Sequence, residues 1–345
     1  MSAPSAASEA KPLPLVSVVV PTKNSAPYLE RCLESIRAQS YSRVEIVVVD
    51  NHSTDATVEI ARRYADVVAS YGPERCAQIN EGVRRSHGDY VYRVDGDFVL
   101  DRTVIETAVA ACSDGIELVA IHNDSSPDVS FWSRVRRLER QMYRDDDLVV
   151  GVRFFSRHAF DDVGGFDETL VAGEDFDIHN RLLRKGYAFR RIEPGELHLG
   201  EPRTLGEIAR KSFFYGRTMR RFLRTNGRRG LAQIMPWRDA FVRNRGLFSQ
   251  NAAETAGFVL VKLTQYGAGL AGLLTAYIRP EDRQLACSVA GRRFGGCKAA
   301  ALLDCAAEHC NVCETAKEHR GRTADITKNP LTPLGTPCYN LKSPT

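Results

Sequence analysis

Leu15–Pro21 reads LVSVVVP, and Val44–Asp50 reads VEIVVVD. Short valine-rich runs with little polar alternation mark strands covered on both faces, as in a parallel sheet flanked by helices. Between them lies PYLERCLESIRAQS, where Tyr28, Leu29, Cys32, Leu33 and Ile36 recur at three- and four-residue steps. That spacing predicts an amphipathic helix. Downstream, DATVEIARRYA predicts a second helix, DVVAS a third strand, AQINEGVRRSH a third helix and YVYRVD a fourth strand. The alternation predicts an α/β fold: an open, mostly parallel sheet with helices on both faces. Ligands of such sheets sit beyond the carboxyl ends of the strands.

Polar clusters stand at those ends. PTKN (Pro21 to Asn24) follows the first strand, DNHSTDAT (Asp50 to Thr57) the second, and Asp95-Gly96-Asp97 the fourth. Side chains two apart in an extended segment point to one side, so Asp95 and Asp97 can converge on one point. Their repulsion then calls for something positive there, such as a hydrated divalent cation; a solvated Asp-Gly-Asp turn is the alternative. One of Ser53, Thr54 and Asp55 is expected to cap the second helix. Capping does not account for Asp50, whose carboxylate can accept bonds from a base or a ribose. No GxGxxG lies beside these strands and no GxxxxGK[ST] occurs, which excludes the common dinucleotide and P-loop fingerprints.

VSVVVPTKN, EIVVVDNHSTDAT, NEGVRRSHGDYVYRVDGD and GGFDETLVAGEDFDIHNRLLRKGY, in that order, resemble the family 2 glycosyltransferases of the GT-A (Rossmann-like) fold, over roughly residues 15 to 217. GPERCAQINEG (Gly72 to Gly82) resembles a branch of that family with a similar Glu-Arg…Gln…Asn run. The resemblance implies that Pro21, Thr22, Asn24 and Asp50 line a nucleotide pocket, with Asn51 and Ser53 beside them. Arg75 and Asn80 join the nucleotide-sugar residues, and Lys23 is a further candidate phosphate partner. Asp97 is implied as ligand of Mn²⁺ or Mg²⁺, and Asp95 as a contact to ribose or metal-bound water. Gly96 serves either a tight turn or close approach of the donor. His198 is implied to complete the metal site. Asp175 is implied as the general base for the acceptor hydroxyl, with Glu174 and Asp177 as alternatives. The same three acids also suit a helix N-terminus on dipole grounds alone. A base facing the leaving group permits one in-line displacement, hence inversion at the anomeric carbon.

The implied activity is transfer of a sugar from a nucleoside-diphosphate sugar to a hydroxyl of a glycan or a lipid-linked acceptor. Two other readings compete with it: a nucleotidyltransferase acting on sugar phosphates, and a non-catalytic nucleotide-sugar or membrane-binding scaffold.

At 345 residues, 43% apolar and 26% charged, the composition is that of a soluble globular protein. The expected division is a disordered 1–14, a catalytic domain over 15–202, a basic and apolar helical extension over 203–279 and a cysteine-containing tail over 280–345. The first fourteen residues have no apolar core, so a secretory leader is not expected. The expected location is the cytoplasm, with reduced thiols and peripheral contact at the cytoplasmic face of a membrane. From Arg203 to Arg245 the only acids are Glu207 and Asp239, among many arginines and interleaved aromatics. A basic amphipathic helix at an anionic membrane fits this at least as well as nucleic-acid binding, and no nucleic acid is expected. Ala256–Ile278 is about long enough to span a bilayer. Lys262, Thr264 and Gln265 interrupt it, which favours a buried or interfacial helix. In the tail, Cys305, Cys310 and Cys313 with His309 or His319 could hold zinc, and a fourth cysteine an iron-sulfur cluster.

Overall fold

Continuous valine runs place side chains on both faces of a strand, and here each face has its own core. The computed structural model describes residues 12–112 and 115–278. Strands β1 (Val16–Thr22), β2 (Val44–Asp50), β3 (Val67–Ser70) and β4 (Tyr90–Arg93) run parallel in the order β3-β2-β1-β4. Val16, Val18, Val20, Ile46 and Val48 pack on one side with Leu29, Leu33 and Ile36 of helix α1 (Ala26–Arg37). The alternate residues Val19, Val47, Val49 and Val91 pack on the other with Ile79 and Val83 of helix α3 (Arg75–Arg85). Each such fully buried side chain contributes about 1.5–3 kcal/mol relative to exposure. Helix α2 (Thr57–Tyr64) begins where expected, but its N-cap is Ala56, with no side-chain capping bond; Asp55, one residue earlier, accepts from Thr57 N at 3.0 Å.

The sheet then continues with β5 (Phe98–Leu100), β6 (Leu118–Ser125) and β7 (Val152–Ser156), which were not read from the sequence, and with β8 (Phe189–His198), whose first part, AFRRIEP (Ala188 to Pro194), reads as a short strand; the order is β4-β7-β6-β8-β5. Strand β7 is antiparallel to β4 and β6, β5 is antiparallel to β8, and β6 and β8 are parallel. The sheet is thus mostly parallel with antiparallel insertions. A short strand ending near Pro194 is expected, yet β8 runs on to His198. It does so through a register shift opposite Ile121 and Asn123, where Pro194 is tolerated. Gly195 permits the close approach there, since a Cβ would lie 2.6 Å from the His122 carbonyl oxygen. The extension sets His198 opposite Phe98, one residue from Asp97.

Helices α4 (Val104–Ala111), α5 (Phe131–Met142), α6 (Arg157–Asp162) and α7 (Glu174–Arg184) complete the α/β body. The extension is helical: α8 (Leu205–Ile234), α9 (Asp239–Arg243) and α10 (Ala252–Ile278). Helix α8 is interrupted at Gly227, where φ is 51°. Ile208 of α8 and Phe258 and Val261 of α10 share a third apolar cluster with Val135, Leu138 and Met142 of α5. Helices α8 and α10 touch backbone to backbone: a Cβ on Gly216 would lie 2.0 Å from the Gly269 carbonyl oxygen. Cys32, Cys76 and Cys112 are free and buried. The expectations for residues 1–11 and for the tail beyond 279, including its zinc or iron-sulfur site, lie outside the described residues.

Candidate functional site

Beyond the carboxyl ends of β1 and β4 lies a cleft of about 390 Å³. Pro21, Asn24, Arg75, Asp95, Gly96, Asp97, Asp175 and His198 all line it, although they come from five separate segments. Asn24 has φ of 49°; its Oδ1 accepts from Thr54 N at 2.9 Å, and its own N donates to Ser53 Oγ at 2.8 Å. These bonds lock the loop after β1 to the loop after β2. Gly96 leaves room rather than making a left-handed turn: a Cβ would sit 3.3 Å from Thr22 Cγ2.

Other expected nucleotide residues stand behind the cleft wall. Asp50 is 2% exposed; its Oδ2 accepts from Ser53 N at 2.8 Å and its Oδ1 from Thr22 Oγ1 at 3.2 Å. In this arrangement Asp50, Thr22 and Ser53 brace the two loops. Asn51 donates to the Pro73 carbonyl. Asn80 is buried under the Gly-Gly turn, donating to the Phe166 carbonyl at 2.9 Å and accepting from Phe166 N at 2.9 Å. Gln78, from the same helix, donates to the Thr22 and Val49 carbonyls and ties the ends of β1 and β2 together. Of the Glu-Arg…Gln…Asn run, only Arg75 therefore faces the cleft.

Arg93, wholly buried at the end of β4, joins the two acidic elements. Its Nη2 lies 3.0 Å from Asp95 Oδ2 and its Nη1 2.9 Å from Asp175 Oδ1. Arg75 pairs with Asp95 at 3.4 Å and also with Glu174. Arg153 of β7 lies 3.7 Å from Asp95, 3.2 Å from Glu196 and over the Phe98 ring. Burial opposes ionisation of Asp95, but Arg93, Arg75 and Arg153 more than offset it and hold its carboxyl far below the usual range. The side chain of Asp175 is 31% exposed, toward the cleft, and makes no polar contact other than Arg93 among the described residues. Glu174 is buried against Arg75. Asp177 is also buried, held by Arg181 at 2.7 Å and by Asn226 at 2.9 Å. Only Asp175 of the three acids on the first turn of α7 presents a carboxylate to the cleft.

Asp97 and His198 face each other, with Oδ2 and Nε2 3.0 Å apart. The opposite nitrogen, Nδ1, contacts Glu201 Oε1 at 2.7 Å, and Phe98 stacks on the ring at 4.7 Å. A carboxylate behind a histidine fixes its orientation and leaves the other nitrogen for a ligand. Two adjacent ligands of an octahedral ion with bonds of about 2.1 Å stand about 3 Å apart, so this pair fits Mg²⁺ or Mn²⁺. A Cβ on Gly200 would lie 2.1 Å from Asp97 Oδ2, so glycine keeps that carboxylate in place. No group of three or more acidic, histidine or cysteine side chains suited to a metal occurs among the described residues. Two protein ligands suffice for ions that take the rest from phosphates and water.

Sequence reasoning missed Arg93, Arg153, Arg140 and Lys211. Arg93 left a signal, an arginine inside a strand two residues before an acid. Arg140 of α5 pairs with Glu201 at 2.7 Å and closes the rear of the His198 site. Lys211 belongs to the basic segment read as a membrane or nucleic-acid surface, yet it lines the cleft. Among the described residues Lys211 has no carboxylate partner, unlike the cleft's arginines, and Lys23 stands near Glu74. A second pocket, about 440 Å³, adjoins the first and shares Arg75, Arg140, Arg153 and Asp175 with it. Val150, Phe176, Tyr215, Met219, Phe222 and Ile234 supply apolar parts of its wall.

The doubly covered α/β sheet thus brings an Asp-Gly-Asp element at a strand end and the carboxylate of Asp175 to one cleft. Residues 17–163 match the family model described as Glycosyl transferase family 2. The glycosyltransferase AglE of Haloferax volcanii is 27% identical over 222 residues, 59% of this chain and 73% of that protein. The glycosyltransferase GlyA of Streptococcus pneumoniae is 35% identical over 98 residues, 27% of this chain and only 14% of that protein. Among solved structures, mannosyltransferase PcManGT of Pyrobaculum calidifontis, in complex with GDP-Man and Mn²⁺, aligns with a TM-score of 0.49 at 21% identity, over 81% of each chain.

Proposed function

We propose that the protein is an inverting, divalent-metal-dependent glycosyltransferase that moves a sugar from a nucleoside-diphosphate sugar to a hydroxyl acceptor, either a glycan or a lipid-linked sugar. One observation carries the reading. Asp175, distant in sequence from Asp95 and Asp97, meets them at one cleft, and Arg93 spans the gap between the Asp-Gly-Asp turn and Asp175. A nucleotidyltransferase would have no use for a carboxylate on the acceptor side. A scaffold would have no use for one held in place by a buried arginine.

The donor lies along the cleft, with Pro21 and Asn24 at the nucleotide end. Asp97 and His198 would hold Mn²⁺ or Mg²⁺, which when bound neutralises charge developing on the leaving diphosphate. Lys23 and Lys211 add positive charge at the same end of the reaction. Arg93 aims the carboxylate of Asp175 at the boundary between the two pockets, where an acceptor hydroxyl meets the anomeric carbon. Asp175 takes the hydroxyl proton as the new bond forms, and the opposed arrangement of base and leaving group gives inversion. The adjoining pocket receives the acceptor. The site is expected to work in the cytoplasm, where nucleotide sugars are the available donors.

The test is a panel of UDP-, GDP- and dTDP-sugars with Mn²⁺, read by melting temperature. A ligand that binds only the folded state raises it, by about 2.7 kcal/mol of stability at a hundredfold excess over Kd. One nucleotide series should stabilise the protein, and Mn²⁺ should deepen the effect. No response to any donor would overturn the reading.

A further inference from the structure

Helix α10 has 27 residues and is long and apolar enough to cross a membrane by length and composition, yet only 22% of its most apolar window is buried. Its inner face explains why it does not need to cross. Lys262, near the middle, pairs with Glu139 of α5, and burial together with Arg136 pulls the ammonium pKa down even though Glu139 opposes this. Gly257, Gly269 and Gly272 let the helix sit against α5 and α8; a Cβ on Gly272 would lie 2.1 Å from the Phe213 carbonyl oxygen. A helix fastened sideways to the domain by a buried ion pair lies along the protein, not through a bilayer.

The outer face is different. Val259, Leu263, Leu270, Leu274, Tyr277 and Ile278 fall on one side of the helix and are exposed, Leu263 by 67% and Leu270 by 57%. Met235 and Trp237, the latter 73% exposed, extend the patch, because the Met235 carbonyl accepts from Tyr266 of α10. Arginine stands at its edge: the Arg220 guanidinium lies 5.0 Å over the Tyr277 ring, and α8, which packs on α10, carries further exposed arginines. An apolar strip edged by arginines and interfacial Trp and Tyr matches the boundary layer of an anionic bilayer.

We propose that the outer face of α10, with Met235 and Trp237, rests in the surface of an anionic lipid membrane while the rest of the domain stays in water. Ile234 lines the pocket beyond Asp175 and is the neighbour of Met235, so that pocket adjoins the docking face. Taken with the transferase reading above, this makes the acceptor a hydroxyl compound carried on a lipid.

The test uses the full chain and sedimentation with vesicles of phosphatidylcholine, with or without phosphatidylglycerol. The wild type should bind the anionic vesicles and lose binding as salt rises. Leu263→Glu with Leu270→Glu should weaken binding about tenfold or more with an unchanged melting temperature. Arg220→Ala should weaken it less and flatten the salt dependence. Equal binding by the double variant overturns the proposal. So does a fall in melting temperature with vesicle binding retained, which means that the chain itself covers the face. Conversion of a dimer to a monomer with vesicle binding retained also overturns it, and makes the face a subunit contact. None of these readouts requires turnover, so failure of the docking face is distinct from failure of the enzymatic reading.

Discussion

Arg93 has no water to solvate it and two carboxylates to satisfy. Removing it leaves Asp95 beside Asp175 with their shared cation gone, and breaking a buried pair in this way costs about 3–5 kcal/mol. Arg93→Met is therefore expected to lower stability in urea unfolding by about 3 kcal/mol and to abolish transfer. A loss below about 1 kcal/mol would mean that the pairs are not held as described. Lys211 makes a different prediction, because its charge has no carboxylate partner among the described residues. If it meets the diphosphate, Lys211→Ala should weaken nucleoside-diphosphate binding about tenfold while leaving nucleoside-monophosphate binding nearly unchanged. Equal losses for both ligands, measured by calorimetry, would place Lys211 elsewhere. Neither residue was legible as a site residue. Arg93 sits inside an apolar strand pattern and Lys211 inside an arginine-rich stretch, and only the fold brings them to the acids. Asp97 and Asp175 were legible through the family resemblance of their motifs, and both line the cleft.

Elements were legible where hydrophobic period alone decides them. Strands β1 to β4 and helices α1 to α3 follow the valine runs and the three- and four-residue stripes. Strand β5 has three residues and β8 carries Pro194 and Gly195, so neither has a periodic signature. β8 pairs with β6 through a close approach at Gly195 and β5 pairs with β8, and local sequence encodes neither. Helix α7 combines both kinds of information: its first turn supplies Asp175, and its interior buries His179. That imidazole is wholly buried, packs edge-on to Phe189 and has no hydrogen-bond partner among the described residues. Burial first, then Arg229 and Arg191, bring its pKa down to about 4 from 6.5. The unfolded chain thus binds a proton that the folded chain refuses between those values, so stability falls as pH drops from about 6.5 to about 4. The loss approaches about 3 kcal/mol. His179→Leu should flatten that part of the stability–pH curve; an unchanged slope would show that other groups set it.

At the scale of the whole molecule, the sheet and helix α7 bring Asp95, Asp97 and Asp175 to one cleft, and the helical extension adds Lys211 to its lining. The extension was expected as a basic and apolar appendage, and it packs on α5 through its own apolar cluster while contributing to the cleft. Its dual part was not legible, since composition reports charge and apolarity but not which side of a helix faces the domain. The account's central claim is that Asp175 is the base of a glycosyl transfer whose donor is held by the Asp-Gly-Asp turn. The most direct measurement compares Asp175→Asn with the wild type, reading donor binding by calorimetry and sugar transfer by product formation. Donor affinity should stay within about twofold while turnover falls by about a hundredfold to ten-thousandfold. Near-normal transfer by Asp175→Asn, with donor still bound, would contradict the account.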